Sequence, residues 1–156
     1  MTQAETRAAI VAEALSWIGT KYHHGAALKG VGCDCARLPA SVYGSLCLIP
    51  DLKPHYTPDW MLHRDEEAFL GYVTPYAREI EASELQPGDL VIWKFGRTYS
   101  HSAIVIDPPT VVHAVIKGGA VILADMDQDV ELKDRPRRYF SLFEHPLSSN
   151  NVPGAE

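Results

Sequence analysis

The sequence has few cysteines, no excess of basic residues and no long apolar run. Its three cysteines are an odd number and do not make a disulfide framework, so we expect three free thiols. No apolar stretch is long enough to cross a bilayer, and the first residues lack the apolar core of a secretory signal. We therefore expect cytoplasmic synthesis, no membrane partner, and another delivery route for any action outside the cell.

Positive charge is also scarce. The formal net charge is −6 at pH 7, whereas nucleic-acid-binding proteins use lysine and arginine to release counterions from phosphates. The one dense basic group, Arg135, Arg137 and Arg138, stands beside Pro136 and is interpreted as a solvated loop. The composition thus argues against a nucleic-acid partner.

A zinc-binding pattern is missing as well. His23 and His24 are adjacent, but neighbouring side chains of an extended loop point apart. Cys33 and Cys35 form a C-x-C pair, unlike the usual C-x-x-C zinc knuckle. We predict no metal site and interpret His23 and His24 as loop residues or substrate contacts.

The apolar content, 46% of 156 residues, is enough for one substantial core. Helical spacing predicts a first helix, capped by Thr2 and reaching about Trp17, and a short helix over 65–72. The proline-rich stretch 49–60, which precedes this short helix, is expected to pack over the surface and wall a cleft. Segments rich in valine and isoleucine then predict five strands: 90–95, 102–106, 110–116, 120–124 and 139–143.

Helices that precede strands predict an α+β domain. We expect the N-terminal helices to pack on a C-terminal antiparallel meander, because the turns between the strands are short. The domain should span 1–147, and the small polar residues of 148–156 predict a flexible tail.

A glycine-rich turn leads into two thiols and a helical pattern at 30–38. Asp34 is a good N-cap residue type, and the apolar spacing predicts a helix that ends between Leu46 and Leu48. Cys35 then lies on the first turn, where free N–H groups and the helix dipole lower a thiol pKa that is ordinarily about 8.5. Taken alone, a free cysteine is more often a small core side chain than a nucleophile.

Two histidines favour the interpretation of Cys35 as a nucleophile over that of a core side chain. His101 opens one predicted strand, and His113 stands in the middle of the next. A lone histidine on an apolar strand is usually a satisfied core residue. A thiol nucleophile, however, needs an imidazole that takes its proton and a polar partner that orients the imidazole. Cys35, His101 and His113 together meet that need.

Five short motifs follow one another along the chain: Tyr22, Gly-x-x-Cys-Asp-Cys ending at Cys35, Leu-Gln-Pro-Gly-Asp-Leu at 85–90, Ser-His-Ser-Ala-Ile-Val at 100–105, and Val-His-Ala at 112–114. In this order they resemble the NlpC/P60 cysteine peptidases, over about residues 14–121. The Gly-Val-Gly-Cys-Asp-Cys form, the segment 60–67 and the missing signal sequence are most similar to the phage and prophage tail-associated branch.

The resemblance implies a papain-like α+β fold and hydrolysis of peptidoglycan stem peptides, commonly at the bond from γ-D-glutamate to a diamino acid. By motif, Cys35 is the nucleophile, His101 the general base and His113 its orienting partner. Backbone N–H groups at the helix N-terminus would meet the oxyanion. The resemblance implies action at the bacterial cell wall without metal or cofactor, with phage tail proteins as candidate partners.

Four further residues are candidates for substrate binding: Tyr22, Asp34, Arg37 and Ser100. Family members often have Asp-Cys-Ser-Gly-Leu where this chain has Ala36 and Arg37 after Cys35. Arg37 puts a cation where glycine is common and adds a candidate contact to a carboxylate. An acyltransferase or deamidase with the same triad, and a catalytically silent part of a phage tail, are the alternative functions.

Strand parity sets a geometric condition on the two histidines, because successive residues of a strand point to opposite faces. A two-residue loop at 108–109 would set Ile104 opposite His113 and turn His101 to the wrong face. We therefore predict a register shifted by one, with Ala103 opposite His113, through a bulge or an irregular turn. Both imidazoles should lie on the face that meets the Cys35 helix, with His101 nearer the sulfur.

Overall fold

The structure, a computed structural model, describes residues 1–51 and 68–145. Within these ranges three α-helices and one 3-10 helix form: α1 (Gln3–Leu15), α2 (Arg37–Ser45), α3 (Ala68–Val73) and the 3-10 helix Ala82–Glu84. The strands are β1 (Ala27–Leu28), β2 (Gly32–Cys33), β3 (Arg78–Ile80), β4 (Leu90–Phe95), β5 (Thr98–Asp107), β6 (Thr110–Val115), β7 (Ala120–Asp125) and β8 (Arg137–Ser141). No helix among the described residues is both long and apolar enough to span a membrane.

Six of the strands in the described ranges form one antiparallel sheet in the order β3-β8-β4-β5-β6-β7, while β1 pairs with β2 apart from it. The predicted α+β architecture, with helices packed on an antiparallel sheet, is confirmed. The meander is correct for β4 to β7 and wrong for the last strand, because β8 returns to pair with β4 and separates it from β3. Apolar patterning did not reveal β3, which has only three residues, two of them charged.

The first helix begins where its cap predicts. Thr2 accepts a hydrogen bond from the Glu5 N–H, and the Glu5 carboxylate accepts one from the Thr2 N–H, which completes a capping box. The helix ends at Leu15, two residues before the predicted limit. Arg7, on its buried side, donates to Asp89 Oδ1 at 2.8 Å and so joins α1 to the turn before β4.

The sheet has two covered faces. The helix face packs against α1 and α2, with Ile10, Leu38 and Val42 meeting four strand residues: Leu90, Ile92, Ile104 and Val112. The outer face packs under Met126 and Leu132, which lie in the segment between β7 and β8, and carries five strand residues: Val91, Trp93, Ala103, Val105 and Val111. Because both faces are buried, these strands are continuously apolar and do not alternate with polar residues.

Four predictions fall wholly or partly outside the described residues. The helix expected over 65–72 is described from Ala68 onward, where α3 extends to Val73. The cleft-walling role of 49–60 rests mainly on residues that are not described, as do the domain end at 147 and the flexible tail 148–156. The predicted helix is confirmed from Ala68 onward, and the other three stay predictions.

Candidate functional site

A bulge between β5 and β6 fixes the placement of both histidines. The ladder starts at Asp107↔Thr110, shifts after Asp107, and continues as Val105↔Val111 and Ile104↔Val112. The next residues in this register are Ala103 and His113. The predicted shift by one residue is therefore confirmed, and the irregularity lies beside the proline turn.

His101 and His113 share one face of the sheet, as predicted, but it is not the face that meets α2. His101 pairs with Trp93, and both belong to the outer face by parity with Ala103. His113 stands between Val112 and Ala114, which point toward the helices. The expectation that both rings face the Cys35 helix is therefore wrong, because the residues that contact α2 alternate with the histidines.

The two imidazoles form a buried pair. His101 Nε2 lies 2.8 Å from His113 Nδ1, and the rings meet edge to face. Burial, followed by His113 and Arg135, holds the pKa of His101 well below its usual value. Burial also lowers the pKa of His113 to about 4, against an opposing effect of Asp129. Both rings are therefore neutral at pH 7.

Cys35 lies beside β5, near the point where β5 and β6 separate. Their ladder ends at Ile104↔Val112, while β5 stays paired with β4 and β6 with β7 further along. The Cys35 carbonyl accepts a hydrogen bond from Ser102 Oγ at 2.5 Å, and its Sγ lies 3.7 Å from the Ser100 carbonyl oxygen. Cys35 thus contacts the two residues that flank His101. That His101 is the ring nearer the sulfur stays a prediction.

The first turn of α2 is held by Asp34. The regular helix starts at Arg37, two residues later than predicted, and ends at Ser45. Asp34 Oδ1 nevertheless accepts hydrogen bonds from the Ala36 and Arg37 N–H groups, and the Asp34 carbonyl accepts one from Leu38. Cys35 therefore lies in the capped turn that opens the helix, as its position after Asp34 predicts.

The environment of the thiol differs from the expected one. Burial, and after it the Asp34 carboxylate, raise the pKa of Cys35 to about 12. Hydrogen bonds from the Cys35 N–H, the Tyr22 hydroxyl and the Ser102 N–H act in the opposite direction and are outweighed. The prediction of a lowered thiol pKa is wrong, because desolvation of the buried sulfur exceeds the effect of the helix terminus.

Cys35, His101 and His113 line one open cleft. Tyr22 also lines it, and burial, followed by Cys35 and Asp34, raises the pKa of its hydroxyl, which stays protonated and can donate to the sulfur. The structure thus places the three predicted triad residues and Tyr22 around one space.

The other predicted binding residues, Asp34, Arg37 and Ser100, are not among the described residues that line this cleft. The Asp34 carboxylate is buried and accepts hydrogen bonds from backbone N–H groups, including that of Gly25 at 2.7 Å, which gives it a role in fixing the turn. Ser100 is fully buried and offers its carbonyl toward the sulfur. Arg37 is half-buried at the start of α2. Substrate contacts of these three residues stay predictions.

The basic group near the C-terminus is not a solvated loop. Arg137 and Arg138 belong to β8, where Arg138 pairs with Glu79 at 2.6 Å. Arg135 lines the cleft together with Lys117 and Glu131. Sequence reasoning missed these three cleft residues, because nothing in the local pattern distinguishes Arg135 from the two arginines that follow it.

Comparison with known proteins agrees with this architecture. The chain is similar to NlpC1 from Trichomonas vaginalis, with 19% identity over 90% of this chain and 45% of that one, and a TM-score of 0.64. It therefore spans less than half of the NlpC1 chain. The NlpC/p60 domain of the peptidoglycan hydrolase SagA matches with 24% identity over 85% of this chain and 96% of that one, and a TM-score of 0.56.

The peptidoglycan hydrolase RipB from Mycobacterium tuberculosis gives a TM-score of 0.63, with 16% identity over 93% of this chain and 70% of that one. At these identities the solved structures establish the fold. Among curated protein sequences there is no significant match. The model of the NlpC/P60 family matches residues 19–135, a range that includes Tyr22 and all three triad candidates. Because this match covers most of the sequence, the chain belongs to the NlpC/P60 family.

Proposed function

We propose that this protein is a cysteine peptidase that hydrolyses peptidoglycan stem peptides at the bond from γ-D-glutamate to a diamino acid. The observation that carries the proposal is the meeting of Cys35, His101 and His113 around one cleft, with the two imidazoles 2.8 Å apart. Membership of the NlpC/P60 family supports the substrate class.

The first step is the transfer of a proton from the neutral Cys35 thiol to the neutral imidazole of His101. His101 Nε2 is engaged with His113, which leaves Nδ1 as the ring nitrogen for the thiol. His101 then donates its Nε2–H to His113 Nδ1, and the second ring fixes both the tautomer and the orientation of the first. As Cys35 Sγ attacks the scissile carbonyl carbon, its proton passes to His101 Nδ1.

Collapse of the tetrahedral intermediate completes acyl transfer. The oxyanion accepts hydrogen bonds from N–H groups at the capped turn, including that of Cys35. The carbon–nitrogen bond breaks, and the His101 imidazolium gives its proton to the leaving amine. A water molecule, deprotonated by His101, then hydrolyses the thioester and restores the thiol.

Digestion of purified peptidoglycan with identification of the fragments by mass spectrometry tests the proposal. We expect new amino termini on the diamino acid, and no fragments from Cys35→Ala. Release of other fragments would overturn the assigned bond. Transfer to an added amine in preference to water would indicate an acyltransferase, and absence of turnover with folded protein would indicate a silent tail component.

We further propose that the chain acts in a phage or prophage tail. Its support is the Gly-Val-Gly-Cys-Asp-Cys sequence, which resembles the tail-associated branch of the family. Proteomic analysis of purified tail particles from the source strain should find the chain. Intact particles without it would contradict this placement.

A further inference from the structure

Two cations and one carboxylate border the cleft that contains Cys35 and His101: Lys117, Arg135 and Glu131. We propose that Arg135 is a specificity-determining residue that binds the α-carboxylate left free by a γ-D-glutamyl linkage. This inference rests on the proposed function and names the part of the substrate that the cleft recognises.

The guanidinium of Arg135 is held beside the proposed general base. Its Nε donates to the Glu131 carbonyl at 2.7 Å. Its central carbon lies 3.8 Å from the centre of the Phe95 ring, and that ring lies 4.7 Å from the ring of His101. Stacking on an aromatic face and one backbone hydrogen bond thus orient the cation before any ligand binds.

The outer edge of the guanidinium is available to an anion. Nη1 is 3.5 Å from the Lys94 carbonyl, and Nη2 is 3.8 Å from Glu131 Oε2. Both distances exceed the roughly 2.7–2.9 Å of a charge-assisted hydrogen bond. The other Glu131 oxygen pairs with Lys117 Nζ at 2.9 Å, so this carboxylate is already shared. A second carboxylate can therefore take the terminal nitrogens in the bidentate geometry that arginine favours.

The chemistry of a γ-glutamyl amide supplies such a carboxylate. The acyl residue is joined through its side-chain carbonyl, so its α-carboxylate stays free. Only Cγ, Cβ and Cα separate that carboxylate from the scissile carbonyl. With the carbonyl carbon at Cys35 Sγ, this three-carbon arm is short enough to keep the carboxylate within the cleft that Arg135 also lines. An α-amide at the same place carries no charge and cannot form the ion pair.

Two synthetic peptides test the inference. Both contain L-alanyl-γ-D-glutamyl-L-lysine, one with the free α-carboxylate and the other with an α-carboxamide. We expect wild-type protein to cleave the carboxylate form with a kcat/KM about tenfold higher or more, mainly through a lower KM. Arg135→Gln should lose this preference by cleaving the carboxylate peptide as slowly as the amide. Arg135→Lys should retain part of it, because a lysine keeps the charge without the bidentate geometry.

Arg138→Gln is the matched control, since Arg138 pairs with Glu79 outside the cleft, and it should keep the wild-type preference. Equal rates on the two peptides with wild-type protein would overturn the inference alone. The same holds for an Arg135→Gln variant that keeps the preference. If wild-type protein cleaves neither the peptides nor peptidoglycan, both the proposed function and this inference are wrong.

Discussion

Burial determines the protonation states of the residues that carry the proposed chemistry. Cys35 is 3% exposed and His101 is 6% exposed. The pKa of the thiol is raised and that of the imidazole is lowered, so both groups are neutral when no substrate is bound. The thiol therefore loses its proton during attack, and no thiolate–imidazolium pair stands ready beforehand.

Alkylation with limiting iodoacetamide at pH 7 tests this state. We expect Cys47 to react first, because it is exposed, whereas Cys33 and Cys35 are buried. Burial raises the pKa of Cys33 to about 12 as well, so the two buried thiols should both react slowly. Peptide mapping by mass spectrometry identifies the labelled residue. Preferential labelling of Cys35 would instead indicate a stable thiolate in the resting protein.

Those features of the helices and strands that depend on neighbours in sequence, such as helix caps and strand register, could be predicted from the sequence. The Thr2 cap predicted the start of α1. The alternation of side chains along a strand, combined with the proline turn at 108–109, predicted the register shift between β5 and β6. The insertion of β8 beside β4 could not be predicted, because it depends on where the segment after β7 crosses the outer face. For the same reason the sequence did not place Arg135 in the cleft.

The Asp34 carboxylate stabilises the capped turn before α2. Asp34→Ala removes the acceptor for the Gly25, Ala36 and Arg37 N–H groups and should lower the free energy of unfolding by about 2 kcal/mol. Asp34→Asn keeps one acceptor oxygen and should cost less. The urea midpoints of the two variants measure the difference. Equal midpoints for Asp34→Ala and wild-type protein would show that the carboxylate does not hold this turn.

In the whole molecule, the neutral buried histidines make folding sensitive to acid. The pKa of His113 is lowered from 6.5 to about 4 in the folded protein. Between these values the unfolded chain binds a proton that the folded protein does not, so stability is full above pH 6.5 and falls as the pH approaches 4. The loss from this one group amounts to about 3 kcal/mol.

Unfolding in urea as a function of pH measures this loss. We expect a flat stability between pH 7 and 8 and a steady decline below 6.5. His113→Asn removes the titrating ring, so its decline should be shallower than that of wild-type protein, whatever the absolute stability of the variant. Identical slopes for the two proteins would contradict a neutral, buried His113.

Cys35 is the proposed nucleophile of the peptidase reaction. Initial rates on the γ-D-glutamyl peptide for wild-type protein, Cys35→Ala and Cys33→Ala, with folding verified by circular dichroism, test this role. Cys33 is the matched control, because it is an equally buried thiol two residues away. We predict no detectable cleavage by Cys35→Ala and a rate within a few-fold of wild type for Cys33→Ala. Cleavage that survives in Cys35→Ala but disappears in Cys33→Ala would show that Cys33 is the nucleophile instead.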